Sequence, residues 1–494
     1  MMTRRESIQA VAGLVAAPAV LRGARRTPGD KPNLLFLWTD QQRADTLATY
    51  GNHGYRVPAL NRLASQSVVF DRCYVTQPVC TPSRSAVMTG RWPHASGCVR
   101  NNIPLPAQVK TLPELLADSS YRTGYMGKWH LGDEVFAQRG FEEWAAIEDG
   151  IYRPFYSPGR DPNARSAYHQ FLVKLGYQPG RDNLFSRQFA TTLPVEHSKP
   201  SFLAIEASKF ILKNRQAPWI LYVNFLEPHT PFSSALNDLH SAEEAPLPKN
   251  HPGIPEGPEP AWYQRRRAKF LRKGGSEGLD MSASGGWQRT ARNYAGLCAL
   301  VDQAVARILW ALEASGQIEN TIVAFASDHG EMLGSHSLLA KQVMYEEAVR
   351  VPFLLRVPFR NQKPQRVLQP VSHIDMAPTL LDLLGKKDCC ELPGQSLLPV
   401  LAGRQRQDQH VFLEWTADPK DSGAGPNGRT VISPDGWKLV LYDTDLCLLF
   451  NRREDPLEMR NLYGQSQYAG VVARLRARIE EWQRKTQDKM PLPS

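Results

Sequence analysis

The amino-acid sequence predicts an α/β fold: a large mixed, mostly parallel sheet flanked by helices, then a smaller C-terminal antiparallel sheet closed by a helix. Three observations carry the prediction. Apolar runs of strand length alternate with segments of helical periodicity between residues 31 and 404. Residues with acid–base or metal-ligating side chains follow directly on several of those runs. Open α/β sheets bind their ligands at that position, outside the carboxyl ends of the strands. After "GQSLLPVLAGRQR" (394–406) the apolar runs become short and close together, the spacing of antiparallel hairpins. A chain of 494 residues is long enough for a large core and more than one structural unit.

The first segment, "MMTRRESIQAVAGLVAAPAVLRGARR" (1–26), sets Arg4 and Arg5 before a weakly apolar run at 8–21. That run is too short to span a bilayer. With its basic flank it reads as an export signal of the twin-arginine type, cleaved near 17–19 or at Ala24. The expected location is therefore periplasmic or extracellular. No later segment is read as a membrane span, and no stable membrane insertion is expected.

"KPNLLFLWTDQQRAD" (31–45) is a buried strand ending in a polar cluster. "SVVFDRCYV" (67–75) is a second strand and leads into "QPVCTPSRSAVMTGR" (77–91), where small residues after Cys80 open a helix. "YRTGYMGKWHLG" (121–132), "APWILYVNFLEPHTPF" (217–232) and "ENTIVAFASDHGEMLGSH" (319–336) repeat the design of apolar run and polar end. Helical patterns fall at 111–118, 200–214, 291–315 and 374–384. These elements make a main unit over 27–404, with an irregular Pro-, Gly- and charge-rich insertion at 232–293. A second unit, 405–494, carries strands at 410–415, 429–433, 437–442 and 446–450 and a helix at 467–485.

Apolar residues make up 42% and charged residues 22%, the composition of an ordinary globular protein. The net charge of +10 is spread along the chain without a nucleic-acid-binding motif, so no nucleic-acid partner is expected. The seven cysteines show no CxxC or Cys/His spacing of a structural zinc site.

The pairs Asp40–Gln41 and Asp328–His329 stand at strand ends far apart in sequence. Together they offer two carboxylates, an amide oxygen and an imidazole, a set able to hold a divalent cation. The oxygens favour calcium or magnesium, and the imidazole pulls toward manganese or zinc. Each pair alone would read as turn or capping residues. Arg84, Lys128, His130, His229 and Lys341 would surround such a cation and bind a tetrahedral oxyanion. Glycine and proline in "GKWHLG" and "EPHTPF" hold three of these basic residues in defined backbone. The residues alone leave Cys80 open as a buried thiol, a disulfide half, a metal ligand, a nucleophile or a precursor.

"CTPSR" (80–84) resembles the Cys-x-Pro-Ser-Arg signature of the type I sulfatases, members of the alkaline phosphatase superfamily. The resemblance continues in order through "PNLLFLWTDQQRADTL", "CTPSRSAVMTGRWPH", "YRTGYMGKWHLG", "EPHTPF", "SDHGEMLGSHSLLAKQVMYEEAVRVPFLL", "HIDMAPTLLDLLG" and "LFNRREDPLEMRNL". It implies an alkaline phosphatase-like fold and hydrolysis of a sulfate ester, of a sulfated glycan or small molecule. It implies that a separate maturation enzyme, as partner, converts Cys80 to Cα-formylglycine. One divalent metal is implied at Asp40, Gln41, Asp328, His329 and the modified residue 80, calcium or alternatively manganese.

Carried over by position, one hydroxyl of the hydrated aldehyde attacks sulfur with help from Asp328. Lys128, Lys341 and the metal hold the sulfate oxygens, and Arg84 orients residue 80. His229, with Lys341, protonates the departing oxygen, and His130 takes the proton from the second hydroxyl to release sulfate.

Two positions depart from the commonest pattern: Gln41 replaces a second aspartate and His329 an asparagine. Those pairs are similar to the ones in choline sulfatases and phosphonate monoester hydrolases, which keeps a phosphodiesterase or phosphonate hydrolase as the alternative. An inactive protein that binds sulfated glycans is the alternative of another class. Within the insertion, Trp262, Tyr263, Arg265, Arg266 and Arg267 are expected on the pocket rim as contacts for an anionic sugar.

Overall fold

The computed structural model describes residues 31–149, 151–241, 243–244, 246–272, 280–360, 363–386, 392–420 and 425–493. The export segment read at 1–26 lies outside the described residues, as do Cys389 and Cys390. The chain runs through β1 (Asn33–Thr39), β2 (Val68–Phe70), β3 (Cys73–Tyr74), β4 (Arg122–Gly127), β5 (Glu143–Ala145), β6 (Trp219–Asn224) and β7 (Thr321–Ser327). It continues through β8 (Arg350–Val351), β9 (Phe353–Arg356), β10 (Gln365–Val367) and β11 (Val371–Ser372). The C-terminal strands are β12 (Val411–Trp415), β13 (Gly428–Ile432), β14 (Trp437–Tyr442) and β15 (Leu448–Asn451).

Eight strands form the central sheet in the order β10-β2-β9-β7-β1-β6-β4-β5. Only β9 runs against the others, pairing antiparallel with β2 and β7, so the sheet is mixed and mostly parallel as expected. β1 is its centre, in register with β6 from Leu34↔Ile220 to Trp38↔Asn224 and with β7 from Asn33↔Thr321 to Thr39↔Ser327. Its side chains alternate between two cores: Leu34, Phe36 and Trp38 on one face, Leu35 and Leu37 on the other. Burial on both faces explains why β1, β6 and β7 read as continuous apolar runs. Each such fully buried large side chain contributes about 1.5–3 kcal/mol.

The second face is covered by the Lys199–Lys213 and Gly286–Ala314 helices. The first starts at Ser198, whose side chain accepts from the Ser201 N–H, with Pro200 in its first turn. The second is long and apolar enough to cross a membrane by length and composition, a match that the sequence reading passed over. In the fold, 72% of its apolar window is buried inside the protein.

The second unit is an antiparallel meander, β12-β13-β14-β15, with the Ala469–Thr486 helix laid on it. Leu475, Ile479 and Trp482 recur at helical spacing and enter a core shared with Trp92 and Ile374 of the main unit. Trp482 meets Trp92 edge-on at 5.1 Å and stacks on Phe412 at 5.3 Å.

His94 clasps this junction. Its Nδ1 faces Glu414 Oε1 at 2.7 Å and its Nε2 faces the Thr486 carbonyl, near the helix end, at 3.0 Å. Both ring nitrogens meet acceptors, so the imidazolium satisfies both contacts. Burial opposes that charge, but Glu414, the Thr486 carbonyl and Asp488, itself paired with Arg429, outweigh it and raise the His94 pKa. A raised folded-state pKa gives stability that is complete below the unfolded value of about 6.5 and lost as pH rises through the folded value. Urea denaturation from pH 5.5 to 9 is expected to show stability falling with pH, with a shallower fall in His94→Gln. Equal slopes would contradict this role.

Two expectations need correction. The 67–75 segment is not one strand: β2 joins the central sheet, and β3 forms a separate ribbon with β8 and β11. The insertion at 232–293 is not irregular throughout, because Ala261–Leu271 is a helix and the next one begins at Gly286. Trp262, Tyr263, Arg266, Arg267 and Phe270 form its buried face, a helical period masked in the sequence by its arginines. Among the described residues, Cys73, Cys80, Cys98, Cys298 and Cys447 are buried and unpaired.

Candidate active site

Four adjacent parallel strands, β7, β1, β6 and β4, bring their carboxyl ends to one edge of the sheet. Asp40 and Gln41 leave β1, Asp328 and His329 leave β7, Lys128 and His130 leave β4, and His229 follows β6. Gly127 is required before Lys128: its φ is +117°, and a Cβ there would lie 1.8 Å from the Asn224 carbonyl oxygen of β6. Gln41 and His130 also hold left-handed backbone, at φ 66° and 59°, which costs about 1–3 kcal/mol for a non-glycine residue. For Gln41 that turn aims its backbone N–H at Asp328 Oδ1, 3.0 Å away.

The Cys80–Thr89 helix points its N-terminus at this edge, and all ten of its residues are buried. It ends at Gly90, in left-handed backbone, whose N–H donates to Ala86 O. Arg84, with 0% exposure, is the organising charge. It donates through Nε to Asp328 Oδ2 at 2.9 Å, through Nη2 to Asp40 Oδ2 at 2.8 Å and through Nη1 to Lys128 O at 2.9 Å. Its guanidinium also lies 5.1 Å from the Trp38 ring centroid. Lys128 Nζ donates to Asp40 Oδ2 at 2.6 Å. Burial opposes ionisation of Asp40, yet Lys128, His229, Arg84 and His329 hold its carboxyl well below the usual range.

Cys80 Sγ lies 3.2 Å from His329 Nε2, 3.9 Å from Asp40 Oδ1 and 4.0 Å from Lys128 Nζ. Burial and Asp40 disfavour its thiolate, but Lys128, Lys341 and His329 outweigh them and lower the thiol pKa. The helix N-terminus adds to the same anion-favouring field.

The ligand atoms of Asp40, Cys80, Asp328 and His329 all lie within 4.8 Å of one another. His329 Nδ1–H donates to Gly330 O at 3.0 Å, so Nε2 turns its lone pair toward Cys80 Sγ and the two aspartates, 3.6 and 3.5 Å away. Two buried carboxylates and an imidazole nitrogen facing them suit a divalent cation. Gln41 lies beside them: its Oε1 accepts from Lys341 Nζ, and its Nε2 donates to Glu331 Oε2.

Lys341 Nζ is also 3.0 Å from His229 Nε2, and His229 Nδ1–H donates to Thr230 O at 2.8 Å. Burial and Lys341 lower the His229 pKa well below its ordinary value. His130 pairs through Nε2 with Asn102 Oδ1 at 2.7 Å and stacks on Tyr152 with ring centroids 4.2 Å apart. Burial, then Lys128 and Arg84, hold its pKa well below the ordinary value, and its Nδ1 is buried without a partner.

The ten residues read as a site therefore meet in one place. In the comparison with known proteins, residues 32–386 match the family model described as Sulfatase. The chain belongs to the sulfatase family, whose members are sulfuric ester hydrolases. A second model, the C-terminal region of N-sulphoglucosamine sulphohydrolase, matches residues 334–485.

Among curated sulfatases, the N-acetylglucosamine-6-O-sulfatase of Bacteroides thetaiotaomicron is 26% identical, over 93% of this chain and 88% of its own. The ulvan-active sulfatase of Formosa agariphila is 26% identical, over 91% and 81%. Among solved structures, the phosphonate monoester hydrolase of Silicibacter pomeroyi has a TM-score of 0.78 at 23% identity, covering 92% of this chain and 96% of its own. A protein in complex with its substrate D-glucosamine-2-N,6-O-disulfate has a TM-score of 0.74 at 22% identity, covering 94% and 99%. Both share the fold.

The sulfatase site differs from the sequence reading at its rim. Trp262, Tyr263, Arg266 and Arg267 are buried and do not offer contacts to a sugar; of the five residues named, only Arg265 is exposed. Trp262 Nε1 donates to Gln342 O at 3.1 Å, Arg266 Nη2 donates to Lys341 O at 2.6 Å, and Tyr263 Oη pairs with Tyr442 Oη at 2.8 Å. This helix supports the Lys341 segment from behind. Sequence reasoning missed Asn102, Tyr152, Arg187 and Glu331. Glu331 Oε1 accepts from the Leu333 N–H at 2.8 Å and from the Ala340 N–H, holding the loop that carries Lys341. Its place in "SDHGEMLG", three residues after Asp328, was the available signal.

Proposed function

We propose that this sulfatase hydrolyses the sulfate ester of a sulfated carbohydrate or aryl alcohol, with residue 80 matured to formylglycine and one divalent cation beside it. The observation that carries the reading is Cys80 itself. It starts a buried helix, in "CTPSR", within 4.0 Å of His329, Asp40 and Lys128. Asp40, Asp328 and His329, with Gln41 alongside, would hold the cation, calcium or alternatively manganese. The bound groups would supply a Lewis acid and a geminal-diol nucleophile.

The chain's own residues do the rest. Arg84 fixes both aspartates and helps to hold Asp40 ionised. Lys128 and Lys341 hold the sulfate oxygens. His229 Nε2, in contact with Lys341 Nζ, delivers the proton to the departing oxygen, and the ester's negative charge makes that protonation easier. His130, kept neutral and fixed through Nε2 by Asn102, accepts a proton at Nδ1 when sulfate leaves. The names of the relatives, sulfatases for N-acetylglucosamine-6-O-sulfate and ulvan, support a glycan as substrate. Export through the twin-arginine segment 1–26 and action outside the cytoplasm complete the proposal.

The test is the mass of the tryptic peptide 73–84 from a host that contains a maturation enzyme. The expected result is replacement of CH2SH by CHO at position 80, with aldehyde-reagent labelling and turnover of an aryl sulfate. Cys80→Ala is expected to lose that turnover entirely. An intact thiol together with faster hydrolysis of an aryl phosphodiester would move the protein to the phosphoryl-transfer reading.

A further inference from the structure

Arg187 belongs to a charge network beside the site that the mechanism above does not use. Its Nε donates to Glu148 Oε2 at 2.6 Å and its Nη2 donates to Tyr152 Oη at 2.8 Å. Glu148 also accepts from Lys199 Nζ. Burial resists ionisation of Glu148, but Arg187 and Lys199 bring its carboxyl down to about 2, so it is charged. Two cations thus share one carboxylate, leaving a positive balance.

The network reaches the reacting centre through one ring. Tyr152, which Arg187 holds by its hydroxyl, stacks on His130 and has its centroid 5.9 Å from Lys128 Nζ. On its other side, Arg187 lines a narrow cleft together with His229, Lys199 and Glu227, whose remaining wall is mainly apolar, with Leu226 and Leu297 among its residues. Burial pushes the Glu227 carboxyl up to about 7, so near neutral pH it offsets only part of the positive charge. Among the described residues, Arg187 Nη1 has no hydrogen-bond partner, while Nε and Nη2 are both engaged.

The cleft therefore presents a fixed guanidinium edge on the side of His229, the side of the departing alcohol. The ester sulfate has its own cations in Lys128 and Lys341, and Tyr152 stands between Lys128 and Arg187. We propose that Arg187 binds a second anionic group, a sulfate or a carboxylate, carried by the alcohol part of the substrate. This rests on the sulfatase reading and narrows it to esters whose leaving alcohol is itself an anion. The network does what such recognition needs: Glu148 and Tyr152 fix the guanidinium, so little side-chain entropy is lost on binding, and the charge-assisted contact forms away from bulk water.

The test compares phenyl sulfate, 3-carboxyphenyl sulfate and 1,3-phenylene bis-sulfate as substrates of the wild-type protein, Arg187→Gln and Arg187→Lys. The expected result is a wild-type kcat/KM roughly 10- to 100-fold higher for one or both dianions than for phenyl sulfate. The favoured dianion says whether carboxylate or sulfate is read. In Arg187→Gln that ratio is expected to fall close to one, chiefly through KM, with Arg187→Lys in between. The ratio within each protein cancels any general loss of active protein, and comparing that ratio between wild type and variant cancels the electronic effect of the substituent. A wild-type ratio near one, or a ratio unchanged in the variants, overturns the proposal, and the wild-type arm decides even if Arg187→Gln does not fold. Absence of turnover on all three sulfates would count against the sulfatase reading instead. Calorimetric affinities of the wild-type protein for phenyl sulfate and the bis-sulfate would then decide the role of Arg187 by the same ratio.

Discussion

Arg84→Met is expected to destabilise the protein by about 3–5 kcal/mol and to abolish sulfate-ester turnover. The side chain is wholly enclosed and is the only arginine bonded to both Asp40 and Asp328 among the described residues. Methionine fills similar space but leaves two buried carboxylates with Lys128 as the remaining lysine or arginine partner, bonded to Asp40 alone, and with only the Gln41 N–H and the His329 ring near Asp328. Arg84→Lys is expected to fail too, since one ammonium cannot reproduce the fork that spans two strand ends. Urea denaturation checks the first claim, and its metal dependence sharpens it. Added calcium or manganese should recover more stability in Arg84→Met than in the wild type, because a cation at Asp40, Asp328 and His329 offsets the same repulsion. Unchanged stability in the variant would contradict the organising role of Arg84.

His229→Gln is expected to divide substrates by leaving group. An alkyl sulfate, whose alkoxide cannot leave without a proton, should lose roughly 10²- to 10⁴-fold in kcat, the usual contribution of general acid catalysis. A nitrophenyl sulfate, whose phenolate leaves readily, should lose less than about 10-fold. Lys341→Met should follow the same trend with an added rise in KM, since Lys341 contacts His229 and is also placed on the sulfate. A series of aryl and alkyl sulfates gives the measurement: the dependence of log kcat on leaving-group pKa should steepen in His229→Gln. A uniform loss across the series would assign His229 to binding rather than proton delivery.

Much of this site was legible before any coordinates, for a physical reason. Parallel buried strands have no polar alternation, so a charged residue just after an apolar run stands out, as Asp40, Lys128 and Asp328 do. "CTPSR" was legible because its proline and arginine lie at fixed offsets from Cys80 on one helix. Other features left no local signal. β9 is four residues long and announces nothing of its antiparallel direction, which is set by pairing with β2 and β7. Arg187, in "LFSRQFA", becomes functional only because Glu148 and Tyr152, more than thirty residues earlier, meet it in space. The Ala261–Leu271 helix misled because its arginines read as solvent-facing. Two of them are buried, with Glu259 and the carbonyls of Lys341 and His336 as partners.

The unpaired cysteines bear on where the chain can be assembled. Cys73, Cys98, Cys298 and Cys447 are small apolar fillers, their thiol pKa values raised by burial and their sulfurs shielded from exchange. None of them needs an oxidant to reach its native state, and none invites one afterwards. The described fold is therefore indifferent to redox potential: it can be completed among reduced thiols and kept among oxidised ones. Among the described cysteines, the one whose surroundings favour ionisation, Cys80, is the one that maturation would consume.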